Sequence, residues 1–484
     1  MTVPLFEPWM VQALLPEILL LALALLVLLV DAIWHGRARP WLGWFTALGI
    51  LATLVLGVVF SRPHPEESAI FGGMLRDDWL AFTFRILFLF SAAITALLTT
   101  GVKGVRQQGE FYALLVVATL GMNLMAAAGD LVMLYLAIET TSIPLYVLAG
   151  FLKQDDRSTE SGLKYFLFGA LTSTVMLYGF SLLFGLAGTT NLYALAEALR
   201  AGAVSAWVLA GTLILVLVGF GFKVSMVPFH FWSPDVYEGA PTPITAFVST
   251  ASKAAGFAVL VRVLIAVFPS VEAYWVPMLS VLAVLTMTIG NLLALAQKNI
   301  KRLLAYSSVA HAGYVLIGLV ALSAFGVTSV VFYLAAYLVS NLAAFAVVIL
   351  FANAAGSEDI KDYAGLSRRS PGLALAMLVA LLSLAGMPPL AGFVGKLYVF
   401  AAAVESGLIW LAFVGVINAI IGLYYYLTVL KVVYLYRSED EDKPLAVPRT
   451  YALALAVCML AIVAIGTLSA PWLAWATQAA SSLF

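Results

Sequence analysis

Leu131-Val132-Met133-Leu134-Tyr135-Leu136-Ala137-Ile138-Glu139 is a run of eight uncharged residues closed by a carboxylate. With the flanking residues on to Leu148 it is long enough to cross a bilayer, which takes roughly 17 to 25 residues. At 1.5 Å per residue, Glu139 lies roughly 13 Å along such a helix from Asp130, close to the bilayer midplane. Apolar stretches of this length recur along the chain, centred near residues 22, 50, 90, 120, 141, 174, 218, 254, 285, 314, 340, 386, 421 and 464. The expected fold is therefore an all-α polytopic membrane protein of about 14 transmembrane helices in one integral membrane domain, 1–484.

Composition excludes the alternatives. Of 484 residues, 63% are hydrophobic and 10% charged, where a soluble domain carries about 25% charged residues. The net charge of +0 leaves no basic excess to neutralise phosphates, so nucleic acid is not an expected partner. Cys458 is the single cysteine and the 4 histidines are scattered, which gives neither a disulfide nor a metal or haem motif. Met1–Met10 carries no Lys or Arg, so the first span reads as a retained helix and not a secretory signal. The longest connections, such as Ser61–Asp78 and Asn353–Ser370, are too short to fold as separate domains. Gly392-Phe393-Val394-Gly395-Lys396 lacks the first glycine and the following Ser/Thr of a phosphate loop and is rejected as one.

Fifteen Lys and Arg residues fall in the odd-numbered connections, from Arg37 and Arg39 to Arg437, Lys443 and Arg449; the even-numbered ones hold only Arg62, Arg76 and Arg200. That asymmetry places the odd connections in the cytoplasm and both termini outside.

Seven basic residues remain inside spans: Arg85, Lys164, Lys223, Lys253, Arg262, Lys396 and Lys431. Glu17 and Glu139 are the matching acids. A charge at mid-bilayer costs about 2.5 to 3.5 kcal/mol even on insertion scales, so each needs a partner, water or a purpose. Lys223 follows Gly219-Phe220-Gly221-Phe222 and precedes Pro228; a helix weakened there frees carbonyls that can hold ions or water. Lys253 follows Ser249-Thr250-Ala251-Ser252, hydroxyl residues that can order water. Lys396 follows Gly386-Met387-Pro388-Pro389, where a segment too long for one crossing needs a break lining a polar cavity. His311, roughly seven residues into its span, can relay protons beside buried lysines or serve as a satisfied core histidine. Lys164 sits near the cytoplasmic start of its span. Arg85, Arg262 and Lys431 read as residues that reach back to the interface, and that is also the competing reading for Lys223, Lys253, Lys396 and Lys164. For Glu139 the competing reading is a protonated acid hydrogen-bonded to a neighbouring helix.

Lys223 in span seven and Lys396 in span twelve each occupy an interrupted helix, five spans apart. An odd offset inverts the second copy, and paired broken helices in inverted halves point to a transport pathway. The residues alone thus indicate a cation or proton carrier with a lysine/glutamate relay.

Lys223-Val224-Ser225-Met226-Val227-Pro228-Phe229-His230-Phe231-Trp232-Ser233-Pro234-Asp235, Thr250-Ala251-Ser252-Lys253 and Asn299-Ile300-Lys301-Arg302 through His311-Ala312-Gly313-Tyr314 resemble the antiporter-like membrane subunits of respiratory complex I. The likeness covers nearly the whole chain. Lys396, where M-type members of that family carry glutamate, and the lack of an L-type lateral helix after the last span separate this chain from both types. The resemblance implies broken helices 7 and 12 within two inverted five-helix repeats, 111–267 and 274–436, flanked by helices in 1–100 and 451–484. It implies a proton relay of Glu139, Lys223, Lys253, His311 and Lys396, to which the reading of the buried charges adds Lys164 as a sixth member. Glu139 and Lys223 would form a modulating ion pair, and Lys396 would exchange protons with the outer side. No cofactor is expected on this chain; FMN, iron–sulfur clusters and quinone would sit on partner subunits, with M-like and K/J-like membrane neighbours in a prokaryotic plasma (inner) membrane. The rival readings are a subunit of a sodium/proton antiporter or membrane-bound hydrogenase, and a non-conducting scaffold.

Overall fold

A computed structural model describes residues 6–34, 41–64, 68–201, 204–440 and 442–484. Arg37, Arg39 and residues 1–5 of the stretch free of Lys and Arg lie outside them.

Thirteen helices among the described residues are long and apolar enough to span a bilayer. They are α1 (Leu15–Ile33), α2 (Leu42–Phe60), α3 (Trp79–Thr99), α4 (Gly109–Ala127), α5 (Leu131–Ala149), α6 (Asp156–Ala187), α7 (Ala206–Val224), α8 (Thr242–Val267), α9 (Pro269–Leu295), α10 (Ile300–Val320) and α11 (Ala324–Ala355), then, after an interruption, α13 (Ile409–Leu435) and α14 (Arg449–Thr467). The interruption is α12, split into Pro371–Ala385 and Ala391–Glu405. Each falls on one of the fourteen centres expected from the sequence. A two-stranded hairpin, β1 (Ala69–Ile70) and β2 (Leu75–Arg76), lies in the connection before α3 and left no clear signal in the sequence.

Helix starts are set by side-chain caps. Asp78, Asp130, Asp155, Asn299 and Ser323 each accept main-chain N–H groups of a first turn, satisfying donors that lipid cannot. Capping also moves Lys301 and Arg302 from the expected connection into the first turn of α10. Interiors are apolar on all sides, so burial follows position in the bundle. About 89% of the span residues of α8 and 94% of those of α10 and α11 are buried, against 39% in α1, α2 and α14. The buried helices form a central axis, and that axis carries Lys253 and His311.

Two sets of features recur along the chain. Leu131 N–H bonds the Thr190 carbonyl (2.8 Å) and Leu192 N–H the Gly129 carbonyl (2.9 Å); Ile300 N–H likewise bonds Glu358 (2.9 Å) and Ile360 N–H bonds Lys298 (2.8 Å). α6 and α11 are both 32 residues long and end on left-handed glycines, Gly188 and Gly356. α7 ends on left-handed Ser225 and the first half of α12 on left-handed Gly386.

Arg85 and Arg262 do not reach for the interface. Arg85 Nε lies 2.8 Å from Glu17 Oε1, with side chains 3% and 7% exposed. Arg262 grips Asp78 through both terminal nitrogens at 2.7 and 2.9 Å and also donates to the Ala126 carbonyl and Tyr193 hydroxyl. Partners brought in from distant sequence make burial cheaper than extension to the interface. Lys431 is exposed, its ammonium 5.5 Å from the Tyr436 ring centre, as expected for a residue at the lipid boundary.

Candidate functional site

Five of the six candidate residues line the inside of the bundle. Glu139 is half-buried on α5, and its Oε1 accepts a short hydrogen bond from the Ser173 hydroxyl of α6. Lys223 is 7% exposed in the last turn of α7, and its Nζ donates to Ser142 Oγ at 2.7 Å. Ser142 lies one turn after Glu139 on α5, so Lys223 is anchored a turn away from the carboxylate. No salt bridge joins the two side chains among the described residues. In place of the expected ion pair, each side chain has its own serine hydroxyl, Ser173 on Glu139 and Ser142 on Lys223.

The stem of Lys223 packs on Gly256 of α8, where an added Cβ would stand 3.1 Å from Lys223 Cγ. One turn earlier on α8 is Lys253, 3% exposed, at the end of a π-helical segment, Val248–Ser252. Such segments shift the helix register and recur at functional sites. Lys253 Nζ donates to the Ser308 carbonyl of α10 at 2.8 Å and to the Ser308 hydroxyl. One turn further along α10 is His311, 5% exposed, its Nδ1 2.7 Å from the Tyr333 hydroxyl and its Nε2 3.1 Å from the Tyr426 hydroxyl. Tyr426 in turn meets Ser307.

Lys396 lies beyond the break in α12, 6% exposed, and does not extend to the interface. Its Nζ donates to the Leu384 carbonyl at 3.0 Å and the Ala385 carbonyl at 2.8 Å. These are last-turn carbonyls that the break leaves without helical partners, at the negative end of a half-helix. The ammonium is also 5.0 Å from the centre of the Tyr314 ring. Between His311 and this break lies a cavity with about 10 Å³ available to a water centre, lined by Tyr333, Tyr337, Ser340, Ser383 and Leu384. That is about one water's worth of space. On its far side Lys396 opens to an apolar cavity of about 330 Å³ beside Met387, Phe400 and Ile420.

Lys164 stands apart from this line. Its side chain is 36% exposed and pairs with Asp235 at 2.6 Å and Glu160 at 2.7 Å. Arg302 joins the same cluster through Asp235 (2.9 Å) and Glu238 (2.7 Å), around a polar cleft of about 260 Å³. Lys223 and Lys396 occupy opposite sides of their breaks: Lys223 precedes left-handed Ser225, whereas Lys396 follows left-handed Gly386 by ten residues. They are therefore not matching positions of the two interrupted helices.

The hydroxyls that meet these groups, Ser142, Ser173, Ser308, Tyr333 and Tyr426, were not singled out from sequence. A small polar residue one turn from a buried charge was the available signal; for the tyrosines none existed.

The family model described as NADH:quinone oxidoreductase/Mrp antiporter, TM, matches residues 128–422. The chain belongs to this family. The matched region contains all five aligned residues, from Glu139 to Lys396. Over 97% of the chain and 98% of the relative, it is 44% identical to NADH-quinone oxidoreductase subunit N of Moorella thermoacetica. Among solved structures it is similar to a chain of respiratory complex I from Thermus thermophilus, with TM-score 0.79, 34% identity, and coverage of 95% and 98% of the two chains. A chain of the Mrp complex from Dietzia sp. DQ12-45-1b shares the fold at TM-score 0.81 and 22% identity, covering 99% and 98%.

Proposed function

We propose that this chain is subunit N of the membrane arm of a proton-translocating NADH-quinone oxidoreductase, and that Glu139, Lys223, Lys253, His311 and Lys396 carry its proton. The observation that supports the relay most is the line itself: buried amines and an imidazole that each hydrogen-bond to hydroxyls or carbonyls of the bundle interior, with a water-sized gap between His311 and the α12 break. The 44% identity to a subunit N, set against 22% to an Mrp chain, favours this reading over an antiporter.

The step is a transfer of H+ alone. With Glu139 ionised nearby, the Lys223 ammonium is stabilised. When that negative charge is drawn away or neutralised, a desolvated ammonium releases its proton more readily. The proton passes by hydroxyl and water to the Lys253 amine, then by way of Ser308 and His311 to Lys396. Carrying one charge against 100 mV takes about 2.3 kcal/mol, which corresponds to under two units of proton affinity at about 1.36 kcal/mol each.

The driving energy comes in this proposal from quinone reduction elsewhere in the complex, with FMN, iron–sulfur clusters and quinone held by partner subunits and M-like and K/J-like subunits as membrane neighbours. The two sets of recurring main-chain bonds and helix ends support a pair of inverted five-helix repeats, 111–267 and 274–436. The charge asymmetry of the connections supports both termini on the outer side of a prokaryotic plasma membrane. Gentle solubilisation and affinity isolation through a tag at Phe484 tests the assignment. Co-isolation of flavin, iron–sulfur and quinone-site subunits is expected; recovery of only small membrane partners would overturn it.

A further inference from the structure

Glu17, Arg85 and Asp77 make a second buried ionic cluster, away from the lysine line, where α1, α3 and the 61–78 connection meet. Arg85 is held by Glu17 at 2.8 Å and by the Ala13 carbonyl at 3.2 Å, while Asp77 stands off at 3.9 Å. Side-chain exposures are 7% for Glu17 and 3% for both Arg85 and Asp77. Two carboxyls thus face one guanidinium. Glu17 Oε2, Asp77 Oδ1 and Arg85 Nη2 are buried without a hydrogen-bond partner.

The surrounding charged groups are committed elsewhere. Asp78 is gripped by Arg262, and Arg76 lies 4.3 Å from the Tyr193 ring centre. His64 is exposed; its main-chain N–H reaches Asp77 Oδ2 at 3.3 Å, and its ring packs on Trp9. A second buried carboxylate without a cation is costly. Two carboxyls over one guanidinium relieve that cost by keeping one proton between them, and they titrate as a pair. We propose that Glu17 and Asp77 hold one exchangeable proton over Arg85, carried by Asp77, the more loosely held member, with His64 marking its route to water.

Burial pushes the Asp77 carboxyl upward against the pull of Arg85. Asp77 also adjoins Asp78, whose partner Arg262 is on α8, nine residues after Lys253. Charging Asp77 therefore acts on the ion pair that fixes one end of the helix carrying Lys253, making Asp77 a positioning residue for the relay. This link, unlike the proton itself, rests on the proposed relay.

The test is Asp77→Asn in the intact complex, since asparagine imitates the protonated acid in shape. A carboxyl whose folded value is raised binds its proton more in the folded state than in the unfolded one. The wild type should then match the variant in thermal midpoint at acid pH and fall progressively behind as pH rises above about 3.9, the unfolded value of aspartate. A constant difference, or a wild type that gains on the variant with rising pH, overturns the proposal. Infrared spectra give a readout that does not depend on that variant assembling. Glu17→Gln hands Arg85 to Asp77 and should abolish a protonated-carboxyl band present in the wild type at neutral pH; no change in that band overturns the proposal. The pH profile of proton pumping reads the link to α8: a profile shifted by Asp77→Asn supports it, and a superimposable one overturns it. A wild-type complex that reduces quinone without moving protons would overturn the relay while leaving the stability and infrared readouts intact.

Discussion

Replacing Asp78 with alanine should be among the most damaging single changes outside the lysine line. The side chains of Asp78 and Arg262 are 3% and 1% exposed, and the guanidinium makes two bonds to the carboxylate at 2.7 and 2.9 Å. Removing one partner of a buried pair leaves the other charge unpaired, at a cost of about 3 to 5 kcal/mol. Asp78 also caps α3 by accepting the Ala81 N–H at 2.9 Å, and loss of such a cap costs about 1 kcal/mol. The two effects together make about 4 to 6 kcal/mol. Adding Arg262→Met should recover most of the larger share, because two apolar groups replace a broken pair. Thermal inactivation of the purified complex at one fixed heating rate is the assay. Burial would raise the Asp78 carboxyl, but Arg262 outweighs it and holds it below the usual aspartate range. Its contribution is therefore present above about pH 3.9 and lost as pH falls towards the folded value, so wild type and Asp78→Ala should converge only in acid. A single variant within about 1 kcal/mol of wild type, or a double variant worse than the single, would refute this reasoning.

Ser142→Ala removes the hydroxyl that accepts from Lys223 at 2.7 Å; a hydrogen bond to a charged group is worth about 1.5 to 3 kcal/mol, so proton pumping should fall roughly tenfold or more with the complex still assembled, as vesicle acidification would read. Gly386→Ala places a Cβ 2.9 Å from the Lys396 side chain at a residue with φ +88. That backbone costs a residue with a side chain about 1 to 2 kcal/mol, so both thermal midpoint and pumping should drop, whereas Gly372→Ala, which meets nothing nearby, should change neither.

Most of this architecture was legible in the sequence because lipid imposes a length on every span and a penalty on every buried charge. The breaks after Lys223 and before Lys396 could be read because glycine and proline mark where a helix gives way. What escaped were partners distant in the chain: nothing local tells Arg85 that Glu17 faces it, or Arg262 that Asp78 does, so both arginines read as interface residues. Lys164 was misleading for the opposite reason, since its acidic partners Glu160 and Asp235 draw it into a half-exposed cluster. The tyrosines that flank His311 were hidden among 20 of their kind, and only the packing of α10, α11 and α13 selects Tyr333 and Tyr426. The side of each break on which the amine sits was not legible: the helices that carry Lys223 and Lys396 break alike, yet the two amines sit on opposite sides of their breaks.

The central claim is that protons cross the membrane through the buried lysines. The most direct test is the ratio of protons moved to electrons transferred in vesicles bearing the complex, with and without Lys223→Ala. The expected result is assembled complex that still passes electrons to quinone but moves fewer protons for each one. An unchanged ratio would contradict it.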